Sequence, residues 1–323
     1  MLGLSACSSD KKSGSSAGSS NTELSLVGYS VPKPAYDALQ DAFDKTAAGN
    51  GVSWKSSYGA SGTQSKNISS GTAKADYVVL SVTPDLTKLV PKYVDADWNA
   101  GQYKGIVATS VVAIAVRKGN PLHITGWDDL IKPGVKIVTP SPSSSGSAKW
   151  NILAAYEHVI ATGGTEAQAT EYLKKFYANI VSRAASGSAA TTQFLGGTGD
   201  VLISYENEAI ASRQAGKSLD YVVPEQTFLI ENPATITKNA PVAAKDFLAF
   251  TLSDQGQKIF ASKGFRPVVK ETSVGTVQGA NDPTNPFPQP KKLTTIADLG
   301  GWTAVNTKFF SANGLVTTIE KSG

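Results

Sequence analysis

From residue 23 onward, short runs of β-type residues alternate with stretches of helical spacing, and this alternation confines the chain to one broad class of fold. Residues 24–27 (LSLV), 52–57 (VSWKSS), 77–81 (YVVLS), 111–116 (VVAIAV), 135–140 (VKIVTP) and 201–205 (VLISY) read as strands. Residues 34–48, with Tyr36, Leu39 and Phe43 on one face, carry helical spacing, as do 150–160, 164–177 and 243–263. The pattern predicts an α/β architecture with helices packed over central sheets. At about 150 residues per domain, a chain of 323 residues has room for two.

The turns between these elements are more informative than the elements. Four strand-to-helix turns, residues 29–30 (YS), 59–62 (GASG), 143–147 (SSSGS) and 185–189 (ASGSA), are rich in small and hydroxyl residues, and none holds Asp or Glu. In open α/β sheets, ligands bind outside the carboxyl ends of the strands, where helix N-termini converge. The run at 143–151, SSSGSAKWN, joins a strand to a helix. Its serines and glycine leave backbone N–H groups open at a helix N-terminus and add hydroxyl donors without an acid. Such a cradle suits a fully ionised oxyanion.

Composition removes several alternatives. The single cysteine, Cys7, allows no intramolecular disulfide, and with only His123 and His158 as histidines a zinc site or a Ser–His nucleophile has no support. No cofactor and no metal are expected. The formal charge of +4 is modest and no block of like charges occurs, so nucleic acid is not indicated. The longest apolar run, around 111–116, falls far short of the ~20 residues that span a bilayer. Residues 4–7, LSAC, resemble a bacterial lipobox, which makes Cys7 the expected lipid anchor. Only six residues precede it, without a basic region or a full apolar stretch. The following SSDKKSGSSAGSSNT has the composition of a flexible tether.

GASGTQSKNISSG at 59–71, VRKGNP at 116–121, GWDDLIKPGVKIVTPSPSSSGSAKWN at 126–151, GDVLISYENEA at 199–209, GFRPV at 264–268 and LGGW at 299–302 stand in that order. Together they resemble the extracytoplasmic sulfate-binding proteins of ABC importers. The resemblance implies a two-lobed periplasmic-binding-protein type II fold, each lobe a sheet flanked by helices, closing over a ligand in the cleft. Residues 23–110 plus 232–323 would form the first lobe, 111–231 the second, and 1–22 the anchor and tether. It further implies a binding protein that is not an enzyme, a lipid-anchored monomer in the periplasm or on the outer face of the cell membrane, and delivery of sulfate or thiosulfate to a permease.

Carried over position by position, the resemblance implies as ligand donors the backbone N–H of Ser30, Gly146, Ser147 and Gly187 and the hydroxyls of Ser61, Ser145 and Tyr205. The family often has an acid where Ser30 stands, glycine where Ser147 stands and tryptophan where Tyr205 stands. A phenol donates from a different point than an indole and can also accept. Tyrosine there is reminiscent of molybdate-binding proteins. A pocket composed of donors favours sulfate or thiosulfate, then molybdate, with phosphate last, because protonated phosphate gains from a buried acceptor. Glu206 and Glu208 are expected to serve the dipole of a helix start rather than acid–base chemistry. Arg266 is expected in an interlobe or core salt bridge, and Trp127, Trp150 and Trp302 in packing. An enzyme acting on an anionic ester is the competing class, and the lack of a nucleophile–base pair weighs against it.

Overall fold

A computed structural model describes residues 21–322. The chain begins with β1 (Thr22–Tyr29), α1 (Lys33–Phe43), β2 (Val52–Gly59), α2 (Ser61–Ser69), β3 (Tyr77–Val79) and α3 (Thr83–Thr87). It continues through β4 (Ile106–Arg117), β5 (Ile137–Pro140), α4 (Gly146–Ala161), α5 (Glu166–Ala178), β6 (Ile180–Ala184), α6 (Gly187–Leu195), β7 (Val201–Tyr205) and α7 (Glu206–Gln214). Then follow β8 (Leu219–Val222), β9 (Gln226–Ile236), α8 (Val242–Thr251), α9 (Asp254–Ser262), β10 (Lys292–Thr294), α10 (Gly301–Val305) and α11 (Leu315–Ser322). The α/β alternation expected from the pattern is present.

The strands are hydrogen-bonded in the order β2-β1-β3-β9-β4-β7-β5-β6, with β10 on β9 and β8 on β4. The order contains two parallel sets. β1 pairs in parallel with both β2 and β3, and β5 pairs in parallel with both β6 and β7. Two long antiparallel strands join them. β4 pairs with β9 up to Val111 and with β7 from Val112, while β9 turns to β3 at Ala234. Strand β9 therefore borders the first set and β4 the second, and the two pair with each other between them. The carboxyl ends of the two parallel sets face the same region, which collects the helix starts that follow them.

Local chemistry explains where the elements stop. Helix α1 buries Tyr36, Leu39 and Phe43, as their spacing predicts, but ends at Phe43 rather than at 48. The Thr46 hydroxyl donates to the Phe43 carbonyl at 2.7 Å and accepts the Gly49 N–H at 3.1 Å, which turns the chain. The expected helix at 243–263 is two helices, because Ser253 caps α9 by accepting the Gly256 N–H at 3.1 Å. Helix α5 starts on a capping box between Thr165 and Gln168. Strand β9 escaped the sequence reading because its centre carries Asn232 and Pro233, which read as a turn. Asn232 is buried and its amide donates to the Ala108 carbonyl at 3.0 Å, while its oxygen accepts the Tyr29 phenol.

Aromatic packing fixes the helices to the sheets. Phe247 of α8 lies with its ring centroid 5.0 Å from that of Tyr77 and 5.3 Å from that of Phe43. Trp127 and Trp150 are fully buried, as expected. The C-terminal segment reaches back to α4: Trp302 meets Trp150 edge-on at 4.9 Å, and Phe309 meets Tyr156 at 4.9 Å. Apolar burial of this kind contributes about 25 cal/mol per Å² of surface removed from water.

Candidate functional site

Every residue proposed from sequence as a ligand donor lies at or just beyond the carboxyl end of a strand in one of the parallel sets. Ser30 follows β1, Ser61 opens α2 after β2, and Ser145, Gly146 and Ser147 open α4 after β5. Gly187 opens α6 after β6, and Tyr205 closes β7. N–H groups in a first helical turn lie outside the intrahelical hydrogen-bond ladder. The starts of α2, α4 and α6 thus present backbone donors and the positive ends of their dipoles together.

Through-space contacts tie these starts to one another. The Gly62 N–H donates to the Ser144 carbonyl at 3.1 Å, joining α2 to the loop before α4. The Ser188 N–H at α6 reaches the Ser30 hydroxyl at 3.4 Å. Glycine permits the close approach. A methyl group on Gly146 would lie 2.9 Å from Ser81 Cβ, and one on Gly187 would lie 2.7 Å from Val31 Cγ2 and 3.2 Å from Ser147 Oγ. Ser145, the cap residue of α4, makes no side-chain capping bond, although serine at that position usually does. Its hydroxyl is not used in closing the helix end.

Ser61 departs from the expectation. Its hydroxyl donates to Asp85 Oδ2 at 2.8 Å and accepts the Ser81 N–H at 3.0 Å, so its proton is committed to a carboxylate. The hydroxyl is therefore replaced as candidate donor by the Ser61 backbone N–H at the start of α2. Asp85 is held in turn by Lys88 at 2.9 Å.

The site also holds more acid than its turns contain. Glu208, on the first turn of α7, is buried, and a methyl on Gly187 would lie 3.6 Å from its Oε2. The Ser204 hydroxyl donates to Glu208 at 2.5 Å. Burial pushes the carboxyl above its usual range, and the hydroxyls of Ser204, Thr191 and Ser188 pull it back only in part. The picture of a pocket lined by donors alone is corrected by Asp85 and Glu208. Both come from elements remote in sequence from the serine turns they support.

Tyr205 is fully buried and its phenol lies 2.8 Å from the Ser81 hydroxyl. Burial pushes the phenol well above its usual range, and hydrogen bonds from Ser147 and Ser81 offset part of that. It is neutral at any physiological pH, so it acts as a hydroxyl. Ser81 was missed in the sequence; a serine at a strand end has no spacing signal to mark it. The Trp150 indole N–H donates to its carbonyl at 2.8 Å. Beside this cluster, a cavity of about 370 Å³ is lined in part by Lys66, Lys88, Lys149, Asp85, Ser144 and Gly146.

Glu206 and Arg266 take the structural roles expected of them. The guanidinium grips the carboxylate at 2.7 and 3.0 Å, both side chains being buried, and reaches the Phe287 and Pro288 carbonyls at 3.3 and 3.0 Å. Arg266 also bridges to Thr109 of β4. His158 hydrogen-bonds Asp128 at 3.0 Å, on the far end of α4 from the site.

Known proteins share the sequence and fold of this chain. The family described as bacterial extracellular solute-binding protein matches residues 24–266. The chain belongs to this family. It is 33% identical to a sulfate-binding protein of Synechococcus elongatus, covering 100% of this chain and 93% of that one. It is 32% identical to a sulfate-binding protein of Escherichia coli, with 93% of each chain covered. The solved structure of the sulfate-binding protein SubI from Mycobacterium tuberculosis superposes with a TM-score of 0.83 at 44% identity, covering 90% of this chain and all of that one. A ferric binding protein from Campylobacter jejuni shares the fold at a TM-score of 0.63 and 18% identity. This solute-binding protein therefore has the α/β fold of periplasmic binding proteins and an extracytoplasmic place.

Proposed function

We propose that this solute-binding protein captures sulfate or thiosulfate and hands it to the membrane permease of an ABC importer. One observation carries the reading: the starts of α2, α4 and α6 approach one another through Gly62, Ser144, Ser147 and Gly187, with the buried Tyr205 phenol 2.8 Å from the Ser81 hydroxyl. The chain's end-to-end similarity to proteins named sulfate-binding points to the same ligand class, and its 30% identity to a thiosulfate-binding protein of Escherichia coli keeps thiosulfate beside sulfate. The proposed donors are the backbone N–H groups of Ser30, Ser61, Gly146, Ser147 and Gly187 and the hydroxyls of Ser145 and Tyr205. Each preorganised donor contributes ~1.5–3 kcal/mol against a charged acceptor, enough in sum to replace a hydration shell.

The proposed hinge lies in β4 and β9, where each strand changes partner. One lobe would hold the parallel set around β1 and the other the set around β5. The C-terminal residues that pack on α4 would travel with the second. Binding is proposed as reversible capture with no covalent step, by a monomer. Anchoring through a lipidated Cys7 belongs to this proposal too, and that residue lies outside the described part of the chain.

Asp85 and Glu208 do not favour phosphate here, because the Ser61 and Ser204 hydroxyls and Lys88 already engage their oxygens. Titration calorimetry with sulfate, thiosulfate, molybdate and phosphate tests the reading. Sulfate or thiosulfate should bind most tightly. Phosphate in first place would mean that Glu208 accepts a ligand proton, and would overturn it.

A further inference from the structure

We propose that Ser81 and Tyr205 form a hydroxyl relay across the cleft, and that Ser81 is the positioning residue that sets how long the anion is held. The inference deepens the proposed function and rests on it. Ser81 stands between β3 and α3, in the part of the chain before the first crossing strand, and is completely buried. Tyr205, Ser147 and Trp150 stand between the crossing strands β4 and β9.

Each polar group of Ser81 serves a candidate site residue or its neighbour. Its N–H donates to the Ser61 hydroxyl at 3.0 Å, its carbonyl accepts the Trp150 indole at 2.8 Å, and its hydroxyl meets the Tyr205 phenol at 2.8 Å. The two hydroxyls carry two protons and share one hydrogen bond, so one proton is left over. The pair stands at the helix starts: the Ser81 hydroxyl lies 3.0 Å from where a Gly146 methyl would be, at the start of α4. An oxyanion accepts and cannot donate, so a bound one takes the Tyr205 proton and leaves Ser81 as donor to the phenol, which strengthens the bond between them. The anion and the cleft-crossing Ser81–Tyr205 bond then support each other.

Removing Ser81's hydroxyl leaves Tyr205 still able to offer its proton to the ligand. What is lost is the bond across the cleft. Ser81→Ala should therefore release sulfate about 3- to 10-fold faster, with the capture rate within about twofold of wild type. Tyr205→Phe removes both the bond across the cleft and the phenol donor and should release faster still, and S81A/Y205F should release no faster than Y205F alone. Stopped-flow tryptophan fluorescence with sulfate measures all four proteins, with thermal melting of each ligand-free form as the folding control. An unchanged release rate in S81A, or a double variant whose effect is the product of the singles, overturns the relay. Lack of sulfate and thiosulfate binding by the wild type would overturn the anion-receptor reading and the relay with it, whereas binding with an unchanged S81A release rate overturns the relay alone.

Discussion

Gly146→Ala separates closure of the cleft from stability of the fold. The added methyl would stand 2.9 Å from Ser81 Cβ, 3.0 Å from Ser81 Oγ and 3.1 Å from Val82 Cγ2. Apolar carbons prefer about 3.5–4.0 Å, so neighbours on the β3–α3 connection must give by most of an ångström. Overpacking of this size costs about 1–3 kcal/mol. Gly146 lies after β4 and Ser81 before it, so under the proposed hinge the clash exists only when the cleft is closed. In the open form alanine has the better helix propensity by up to about 1 kcal/mol. The ligand-free protein should therefore melt at the same temperature or slightly higher. Sulfate affinity should fall about 5- to 150-fold, at 1.4 kcal/mol per factor of ten. Calorimetric titration and thermal melting read the two effects separately. Unchanged affinity would show that the two surfaces do not meet in the bound state. A fall in melting temperature as large as the fall in affinity would place the contact inside a rigid core.

Ser145→Ala removes a hydroxyl that caps nothing, and should weaken sulfate binding about tenfold by loss of one charge-assisted bond while leaving stability within about 0.5 kcal/mol; equal affinity by calorimetry would remove Ser145 from the site. Arg266→Ala strands the buried Glu206 carboxylate and should cost about 3–5 kcal/mol in urea unfolding, whereas a loss below about 1 kcal/mol would make the pair dispensable. Glu208 makes a pH prediction. Its carboxyl is already raised by burial, and a nearby anion raises it further, so the bound state holds more protons than the free state. Sulfate binding should therefore take up protons and weaken as pH rises through the Glu208 titration. Calorimetry in buffers of different ionisation enthalpy should show the uptake in wild type and its disappearance in Glu208→Gln; identical uptake in both would assign the proton elsewhere.

Local sequence decides the parts of this protein that depend on neighbours along the chain. The α/β alternation, the buried face of α1 and the open N–H groups at the helix starts follow from periodicity, capping residues and glycine placement over a few residues. A first-turn N–H points along its helix axis whatever else the chain does, so the run at 143–151 could be read as an anion cradle before any fold was known. Hydroxyls and carboxylates behave differently, because a rotor turns toward whichever partner the fold brings near. Ser61 illustrates this: its hydroxyl goes to Asp85 of α3, and only its backbone N–H keeps the proposed role. Glu208 fits a helix-start dipole on local grounds, yet in the fold it accepts the Ser204 hydroxyl and stands beside Gly187 at the start of α6. Strand β9 is a strand because β3 and β4 supply partners on either side of Asn232 and Pro233. The Ser81–Tyr205 bond spans 124 residues of sequence, and nothing in either neighbourhood announces it. Backbone donors are set by local geometry and so are written in the sequence. Which side chains complete and lock them is set by contacts across the cleft, and these exist only in the tertiary structure.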